Sequence, residues 1–124
     1  MNDWVKSYRD LEVWQKGRSL VKAIYQITTG FPSSEKFGLV TQMRRAAVSI
    51  PSNIAEGHAR TSTGEFRQFI SIARGSVAEL ETQAILSADL DYLNSDDSED
   101  ILRQLDILGK MLRGLEKSLT NRLS

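Results

Sequence analysis

Large apolar residues recur at alternating intervals of four and three positions in the last part of the chain. The repeat consists of Ile101, Leu105, Leu108, Leu112, Leu115 and Leu119. This spacing places all six side chains along one side of an α-helix and does not fit the strict alternation of a half-buried β-strand. The pattern therefore predicts a long helix that packs through one apolar stripe.

Three similar stripes precede this one, separated by clusters of Gly, Pro, Ser and Asn at residues 30–34, 60–64 and 94–96. The stripes comprise Val13, Leu20, Ile24 and Ile27; then Val40, Met43, Ala47, Ile50 and Ile54; and then Phe66, Ile70, Ala73, Val77, Leu80 and Ala84. Turns this short can join only antiparallel neighbours. We therefore predict an all-α, antiparallel up-down-up-down four-helix bundle.

Two of the breaks also carry signals for the start of a helix. Ser62 and Glu65 have the spacing of a capping box, which predicts a helix start at Ser62. Ser95 precedes an acidic run, and acidic residues suit the first turn of a helix because the helix dipole favours negative charge there. We expect Ser95 to mark the start of the last helix.

Composition limits the domain organisation and the chemistry. A chain of 124 residues allows one domain, which we assign to residues 1–124, with residues 1–8 as an N-terminal extension. The chain has no cysteine and one histidine, which excludes disulfides, thiolate catalysis and Cys- or His-based metal sites. No apolar run approaches the roughly 20 residues of a membrane span, and the N-terminus lacks the apolar stretch of a signal peptide. We expect a cytoplasmic protein without a membrane partner, cofactor or metal.

Catalytic motifs are equally scarce. The sequence has no Gly-rich phosphate loop and no nucleophile with a matching base. His58, the single histidine, lacks the glutamate three positions earlier that a di-iron carboxylate bundle requires. A hydrolytic pair formed by Glu79 and Glu81 is the remaining enzymatic alternative, but charged residues on bundle helices are usually solvated or paired. We predict no catalytic residues and no enzymatic activity.

Pro51 lies inside the second helical segment. Its ring removes the N–H that would bond the carbonyl of Ala47, at a cost of about 3 kcal/mol, so we expect a kink between these residues. One interpretation is a bend that wraps the helix around its own core, with Asn53 and Glu56 re-establishing the helix. The other is a kink that shapes an oligomer contact or a binding site.

The two central segments are rich in small residues, which let helix backbones approach closely. We therefore predict close packing of these two helices, within one subunit or between subunits. The small residues are Ala46, Ala47, Ser49, Ser52, Ala55 and Gly57 in the second segment, and Ala73, Gly75, Ser76 and Ala78 in the third.

Charge is balanced overall, with 16 basic and 16 acidic residues, but it is unevenly distributed. Residues 36–75 carry six basic and two acidic groups, whereas residues 76–106 carry one and nine. Guanidinium groups bind phosphate in a bidentate manner, so the arginines of the basic segment form a candidate anion or nucleic-acid surface. They are Arg44, Arg45, Arg60, Arg67 and Arg74.

The alternative is that these arginines pair with carboxylates across the helices. The candidate partners are Glu56, Glu79, Glu81 and Asp89. The zero net charge favours this alternative, because strong nucleic-acid binders are usually basic overall.

Four stretches resemble the bacterial four-helix-bundle proteins named for intervening sequences of the 23S rRNA gene. They are DLEVWQK at residues 10–16, FP at 31–32, QMRRAAVSIPSNIAEG at 42–57 and GSVAELETQ at 75–83. The similarity runs from about residue 8 to the C-terminus. Within the two longest stretches, we identify as candidate structural or oligomer-forming residues Pro51, Asn53, Glu56, Gly57, Gly75, Glu79 and Glu81.

This resemblance implies a ring-like homopentamer without established enzymatic activity. A more distant, strongly basic group serves as accessory proteins of diversity-generating retroelements and contacts reverse transcriptase and nucleic acid. The present chain departs from that group in its zero net charge. We expect a non-enzymatic homo-oligomer with RNA or another nucleic acid as candidate ligand. The alternative is a scaffold that recruits an unidentified protein partner, with purely structural arginines.

Overall fold

The structure, a computed structural model, describes residues 7–123, and every regular element in that range is helical. The four helices are α1, Glu12–Thr28; α2, Leu39–His58; α3, Thr63–Asp89; and α4, Ser95–Leu123. Short 3₁₀ turns lie at Tyr8–Asp10 and Ser33–Glu35. The all-α prediction is therefore confirmed. No helix between Ser7 and Leu123 has an apolar stretch of the length that a bilayer crossing requires.

Each helix packs against two neighbours, in the cyclic order α1, α2, α3, α4 and back to α1, and within residues 7–123 the diagonal pairs have no backbone contact. Arg44, near the start of α2, meets Thr28 at the end of α1. Met43, on the same turn of α2, meets Ser87 near the end of α3. Neighbouring helices therefore run antiparallel, as expected of an up-down-up-down four-helix bundle.

The predicted stripes form the core of the bundle. In α4, five of the six predicted residues are buried and Leu115 is partly buried. In the other three helices, the predicted residues are buried except Ile27 and Phe66, which are partly buried. Each large aliphatic side chain contributes about 1.5–3 kcal/mol of gross burial energy, so burial of the four stripes is the main stabilising interaction between the helices.

The first connection is longer than the predicted break at residues 30–34, because α2 begins only at Leu39. A 3₁₀ turn at Ser33–Glu35 occupies the intervening chain. The Glu35 carboxylate accepts the N–H of Leu39 at 3.1 Å and the O–H of Tyr92 at 3.1 Å. One glutamate thus caps α2 and ties the connection to the turn before α4.

The predicted start of α3 is confirmed, because Ser62 Oγ accepts the N–H of Glu65 at 3.1 Å and the helix begins at Thr63. The Glu65 carboxylate accepts the Ser62 hydroxyl rather than the backbone N–H of a capping box. Helix α4 begins at Ser95, but the capping residue is Asn94, whose Oδ1 accepts the N–H of Asp97 at 2.8 Å. The predicted start of α4 at Ser95 is therefore confirmed, and the side chain that caps it is that of the preceding residue.

Pro51 does not end α2, which continues through it to His58. A Cβ atom added at Gly17 of α1 would lie 3.5 Å from ring atoms of Pro51, so the proline packs against its own chain. At the N-terminus, residues 1–6 lie outside the described range. The ring of Tyr8, the last residue of the predicted extension over residues 1–8, packs edge-on against Trp14 at 5.2 Å.

Candidate nucleic-acid interface

The five predicted arginines do not form one surface. Arg44 lies on the side of α2 that faces α1, where its Nη2 donates to the carbonyl of Tyr25 at 3.3 Å. Arg74 lies on the opposite side of the α2–α3 pair and contacts Glu116 of α4. The structure therefore brings Arg44 together only with its neighbour Arg45, at the groove between α1 and α2.

Two of the arginines form ion pairs within the chain. Arg60 pairs with Glu56 one turn earlier on α2 at 3.0 Å, and both side chains are about half exposed. Arg74 pairs with the more buried Glu116. Of the predicted partners, only Glu56 pairs with an arginine, and it does so along its own helix rather than across helices. Exposed pairs of this kind contribute at most about 1 kcal/mol.

Arg45 and Arg67 differ from these two. In the part of the chain from Ser7 to Leu123, neither side chain has an ion-pair or hydrogen-bond partner. Arg45 is exposed on α2, whereas Arg67 is partly buried on α3. Of the five candidates, these two can bind an external anion without breaking an internal contact.

The groove between α1 and α2 has a volume of about 490 Å³ and is lined by Tyr25, Thr41, Arg44, Arg45, Val48 and Ser49. Arg44 is held in place there by three contacts. Its guanidinium lies 4.4 Å from the centroid of the Tyr25 ring, its Nε donates to Thr28 Oγ1 at 3.0 Å, and its Nη2 donates to the Tyr25 carbonyl. A positive group in a fixed position therefore borders the groove beside the partnerless Arg45.

Helix α1 contributes a second pairing of this kind, which the sequence analysis did not identify. The Arg18 guanidinium lies 5.7 Å from the centroid of the Trp14 ring. Trp14 and Tyr25 are eleven residues apart, so they lie on one side of α1 about 16 Å apart. We refer to Trp14, Arg18, Tyr25, Arg44 and Arg45 as the α1–α2 face.

Within residues 7–123, no carboxylate lines the groove of the α1–α2 face. From the start of α1 to the end of α2, residues 12–58, six basic residues stand against three acidic ones, Glu12, Glu35 and Glu56, and Glu56 pairs with Arg60. Both oxygens of the Glu35 carboxylate already accept hydrogen bonds, from Leu39 and Tyr92. These basic residues come from sequence on either side of residue 35, and they adjoin because α1 packs against α2.

The small residues of α2 and α3 bring these helices close together within one chain. A Cβ atom added at Gly57 would lie 2.6 Å from Cβ of Phe69, so the glycine is required by this contact. The hydroxyls of Ser49 and Ser76 hydrogen-bond across the two helices at 2.8 Å, and Asn53 Nδ2 donates to Ser49 Oγ at 2.9 Å. Asn53 thus joins a polar cluster between the two helices.

Gly75 differs from Gly57, because a Cβ atom there would meet nothing within 4 Å. The residue is exposed on α3, at the edge of a cleft of about 360 Å³ between α3 and α4. The packing of α2 on α3 therefore does not explain this glycine.

Glu79 and Glu81 do not converge on one site. Residues two apart on a helix point to nearly opposite sides. Glu79 is exposed and accepts Nε2 of Gln83 at 3.2 Å, whereas Glu81 lines the cleft between α3 and α4 with Asp106. Between Ser7 and Leu123, no group of three or more His, Asp or Glu side chains is arranged to hold a metal ion.

A solved structure shares the fold. It is the crystal structure of a protein of unknown function from the S23 ribosomal protein family of Bacteroides thetaiotaomicron VPI-5482. The two chains are 23% identical and superpose with a TM-score of 0.77 over 85% of this chain and 98% of the other. At this identity, the likeness concerns the fold. A search of curated protein sequences finds no significant match.

The sequence also matches a family model. The model describes the 23S rRNA-intervening sequence proteins and aligns with residues 9–114, which is most of the chain. The match spans all four helices, although α4 extends beyond it. Together with the helical bundle, this match establishes that the chain belongs to the 23S rRNA-intervening sequence protein family.

Proposed function

We propose that this protein is a non-enzymatic, self-associating helical bundle that binds RNA through the α1–α2 face. The observation that carries the proposal is that three arginines and two aromatic rings lie on this face, and that no carboxylate between Ser7 and Leu123 lines its groove. The zero net charge does not oppose it, because the acidic residues are concentrated in residues 76–106, on α3, α4 and the turn between them.

The state of the two groove arginines supports binding of phosphate. Arg45 has no internal partner to lose, and Arg44 is already fixed by Tyr25 and Thr28. A side chain that is ordered before binding loses less conformational entropy when it contacts a ligand. Neutralisation of phosphates also releases counterions from the nucleic acid, which makes the affinity depend on salt concentration.

Fluorescence anisotropy with a labelled single-stranded RNA at low salt tests the nucleic-acid part of the proposal. We expect binding by the wild-type protein and a loss of affinity in Arg45→Ala. The matched control is Arg67→Ala, which removes an equal charge from a partnerless arginine on α3 and leaves the affinity unchanged. Equal losses in the two variants would point to a diffuse charge effect rather than to the α1–α2 face.

The self-association part rests on the outer side of α3. Ile72, Leu86 and Leu90 are each about half exposed, with relative accessibilities of 51%, 46% and 52%. Their spacing of fourteen and four residues places them on one side of the helix, beside the exposed Glu79. A helix with apolar side chains on both its inner and outer sides is expected to be covered, and a second copy of the chain is the partner we propose.

Light scattering tests the assembly. We expect the wild-type protein to have several times the 13.9 kDa mass of one chain, and five times that mass for the homopentamer. Ile72→Glu places a charge on the outer side of α3 and should dissociate the assembly. Ile107→Glu is the matched control, because Ile107 is similarly exposed on α4 at 43%. A wild-type monomer at micromolar concentration would contradict the proposal.

A scaffold role with structural arginines is the second candidate. It is favoured by the ion pairs that engage Arg60 and Arg74 within the chain. This candidate predicts a folded assembly that does not bind RNA even at low salt. The anisotropy experiment therefore distinguishes the two functions.

A further inference from the structure

We infer that the α1–α2 face binds single-stranded nucleic acid, with unpaired bases stacked on Trp14 and Tyr25 and the phosphates contacted by the neighbouring arginines. The inference rests on the proposed function and adds the class of nucleic acid. Its basis is the presence of two aromatic rings, each beside an arginine, along the α1–α2 face, a feature that phosphate binding alone does not require.

The two rings have the same local arrangement. A guanidinium lies over each ring, that of Arg18 at 5.7 Å from the Trp14 centroid and that of Arg44 at 4.4 Å from the Tyr25 centroid. Trp14 is partly buried, and Tyr25 is 43% exposed. The guanidinium covers part of one face of each ring, and Trp14 also packs against Tyr8, so a base would stack on the ring surface that these contacts leave exposed, beside a positive charge. Single-strand binding proteins combine aromatic surface and positive charge in this way for a base and its phosphate.

The groove itself has mixed chemistry. Val48, with 40% exposure, and Thr41 lie beside Tyr25 and the two groove arginines. An apolar valine and an aromatic ring are poor contacts for phosphate and good contacts for the flat face of a base. A strand can place its bases towards this part of the groove and its phosphates towards Arg45.

A duplex cannot use these rings in the same way. Its bases are stacked on one another and paired, so that only their edges are accessible in the grooves of the helix. Stacking on an aromatic side chain needs a base that is free of this arrangement. Stacking on the two rings should therefore contribute to the binding of a single strand and not to the binding of a duplex.

Trp14 provides a direct reporter of stacking. The chain has two tryptophans, so Trp4→Phe leaves Trp14 as the sole one. We expect a single-stranded oligoadenylate RNA of about twelve nucleotides to quench Trp14 fluorescence on binding, since single-strand sites commonly span 4–16 nucleotides. An RNA duplex of the same length should bind through its phosphates without this quenching.

Tyr25 supplies the matched variants. Tyr25→Leu removes the ring, and we expect it to weaken oligoadenylate binding by about fivefold or more, the lower end of losses seen for stacked bases. Tyr25→Phe keeps the ring and should retain the affinity. Tyr25→Leu also removes the ring that holds Arg44, so duplex binding should fall by a smaller factor than oligoadenylate binding, whereas Tyr25→Phe should alter neither. Circular dichroism should show that both variants remain folded.

The outcomes separate this inference from the proposed function. Equal binding of single strand and duplex, with unchanged Trp14 fluorescence and no effect of Tyr25→Leu, would overturn the stacking role and leave phosphate binding intact. No binding of either RNA at low salt would overturn the proposed function as well.

Discussion

At the scale of single residues, Gly57 and Gly75 have opposite environments although both belong to the small-residue stretches. Gly57→Ala would place Cβ 2.6 Å from Cβ of Phe69, so we expect the free energy of unfolding to fall by about 1–3 kcal/mol. In Gly75→Ala the new Cβ atom meets no neighbour, and the change removes a flexible residue from a helix interior. The free energy of unfolding should therefore rise by about 0.5–1 kcal/mol. Urea denaturation of each variant measures both effects. A Gly57→Ala variant as stable as the wild type would contradict the close approach of α2 and α3.

The sequence shows which stretches are rich in small residues but not the role of each residue. By composition alone Gly57 and Gly75 are equivalent. The structure distinguishes them, because Gly57 of α2 lies against Phe69 of α3, whereas a Cβ atom at Gly75 would meet nothing within 4 Å. The ion pairs show the same limit. Arg60 and Glu56 are one turn apart, so their spacing could be read from the sequence. Arg74 and Glu116 are 42 residues apart and meet only because of how α3 and α4 pack.

At the scale of the elements, the helices were more predictable than the turns between them. Helix α3 ends in a Schellman motif, in which the N–H of Tyr92 donates to the carbonyl of Ser87 at 2.9 Å and the N–H of Asp91 to that of Ala88 at 3.0 Å. Asp91 has a φ of 62°, in the left-handed region that glycine usually occupies. The predicted break at residues 94–96 fell after this turn because the sequence carries no glycine at its centre.

The hydrogen bond between the turn before α4 and the connection before α2 predicts a pH dependence of stability. Donation of the Tyr92 hydroxyl to the Glu35 carboxylate, together with desolvation and the negative charge of Glu35, raises the pKa of Tyr92 above its ordinary value of 10.0. A raised pKa in the folded state means that folding favours the protonated phenol. The stabilisation is therefore fully present below about pH 10 and is lost as the pH rises through the raised pKa.

Tyr92→Phe tests this dependence. The variant should be less stable than the wild type at neutral pH, because it lacks the hydrogen bond to Glu35. Thermal unfolding should be measured across pH 8–11, where tyrosine titrates. We expect the difference in Tm between wild type and Tyr92→Phe to narrow at the alkaline end of this range. A difference that stays constant across this range would show that Tyr92 does not couple to Glu35.

At the scale of the whole molecule, the architecture was predictable because each helix carries its own apolar stripe. The periodicity is local, and the breaks are short enough to require antiparallel neighbours. The α1–α2 face was not predictable in this way, because it combines aromatic residues of α1 with arginines of α2. The contact of Tyr25 with Arg44 joins residues 19 positions apart and depends on the register of the two helices.

Helix α2 lies between the two proposed surfaces, because its Ser49 lines the groove of the α1–α2 face and hydrogen-bonds Ser76 of α3, one turn from Ile72. Trp14 and Tyr25 lie on α1, which is diagonal to α3, so an assembly through the exposed apolar residues of α3 need not cover these two rings. In a closed ring, the α1–α2 face would recur once in every subunit. Repeated sites on one assembly raise the overall affinity for a long strand without any new contact within a subunit.

The salt dependence of RNA binding tests the central role of the α1–α2 face. The measurement is the slope of the logarithm of the association constant against the logarithm of salt concentration, for the wild type, Arg45→Ala and Arg67→Ala on one single-stranded RNA. We expect a linear fall for the wild type, a slope shallower by about 0.7–1 for Arg45→Ala, and the wild-type slope for Arg67→Ala. A wild-type slope in Arg45→Ala, or no binding by the wild-type protein at low salt, would contradict the assignment of RNA binding to this face.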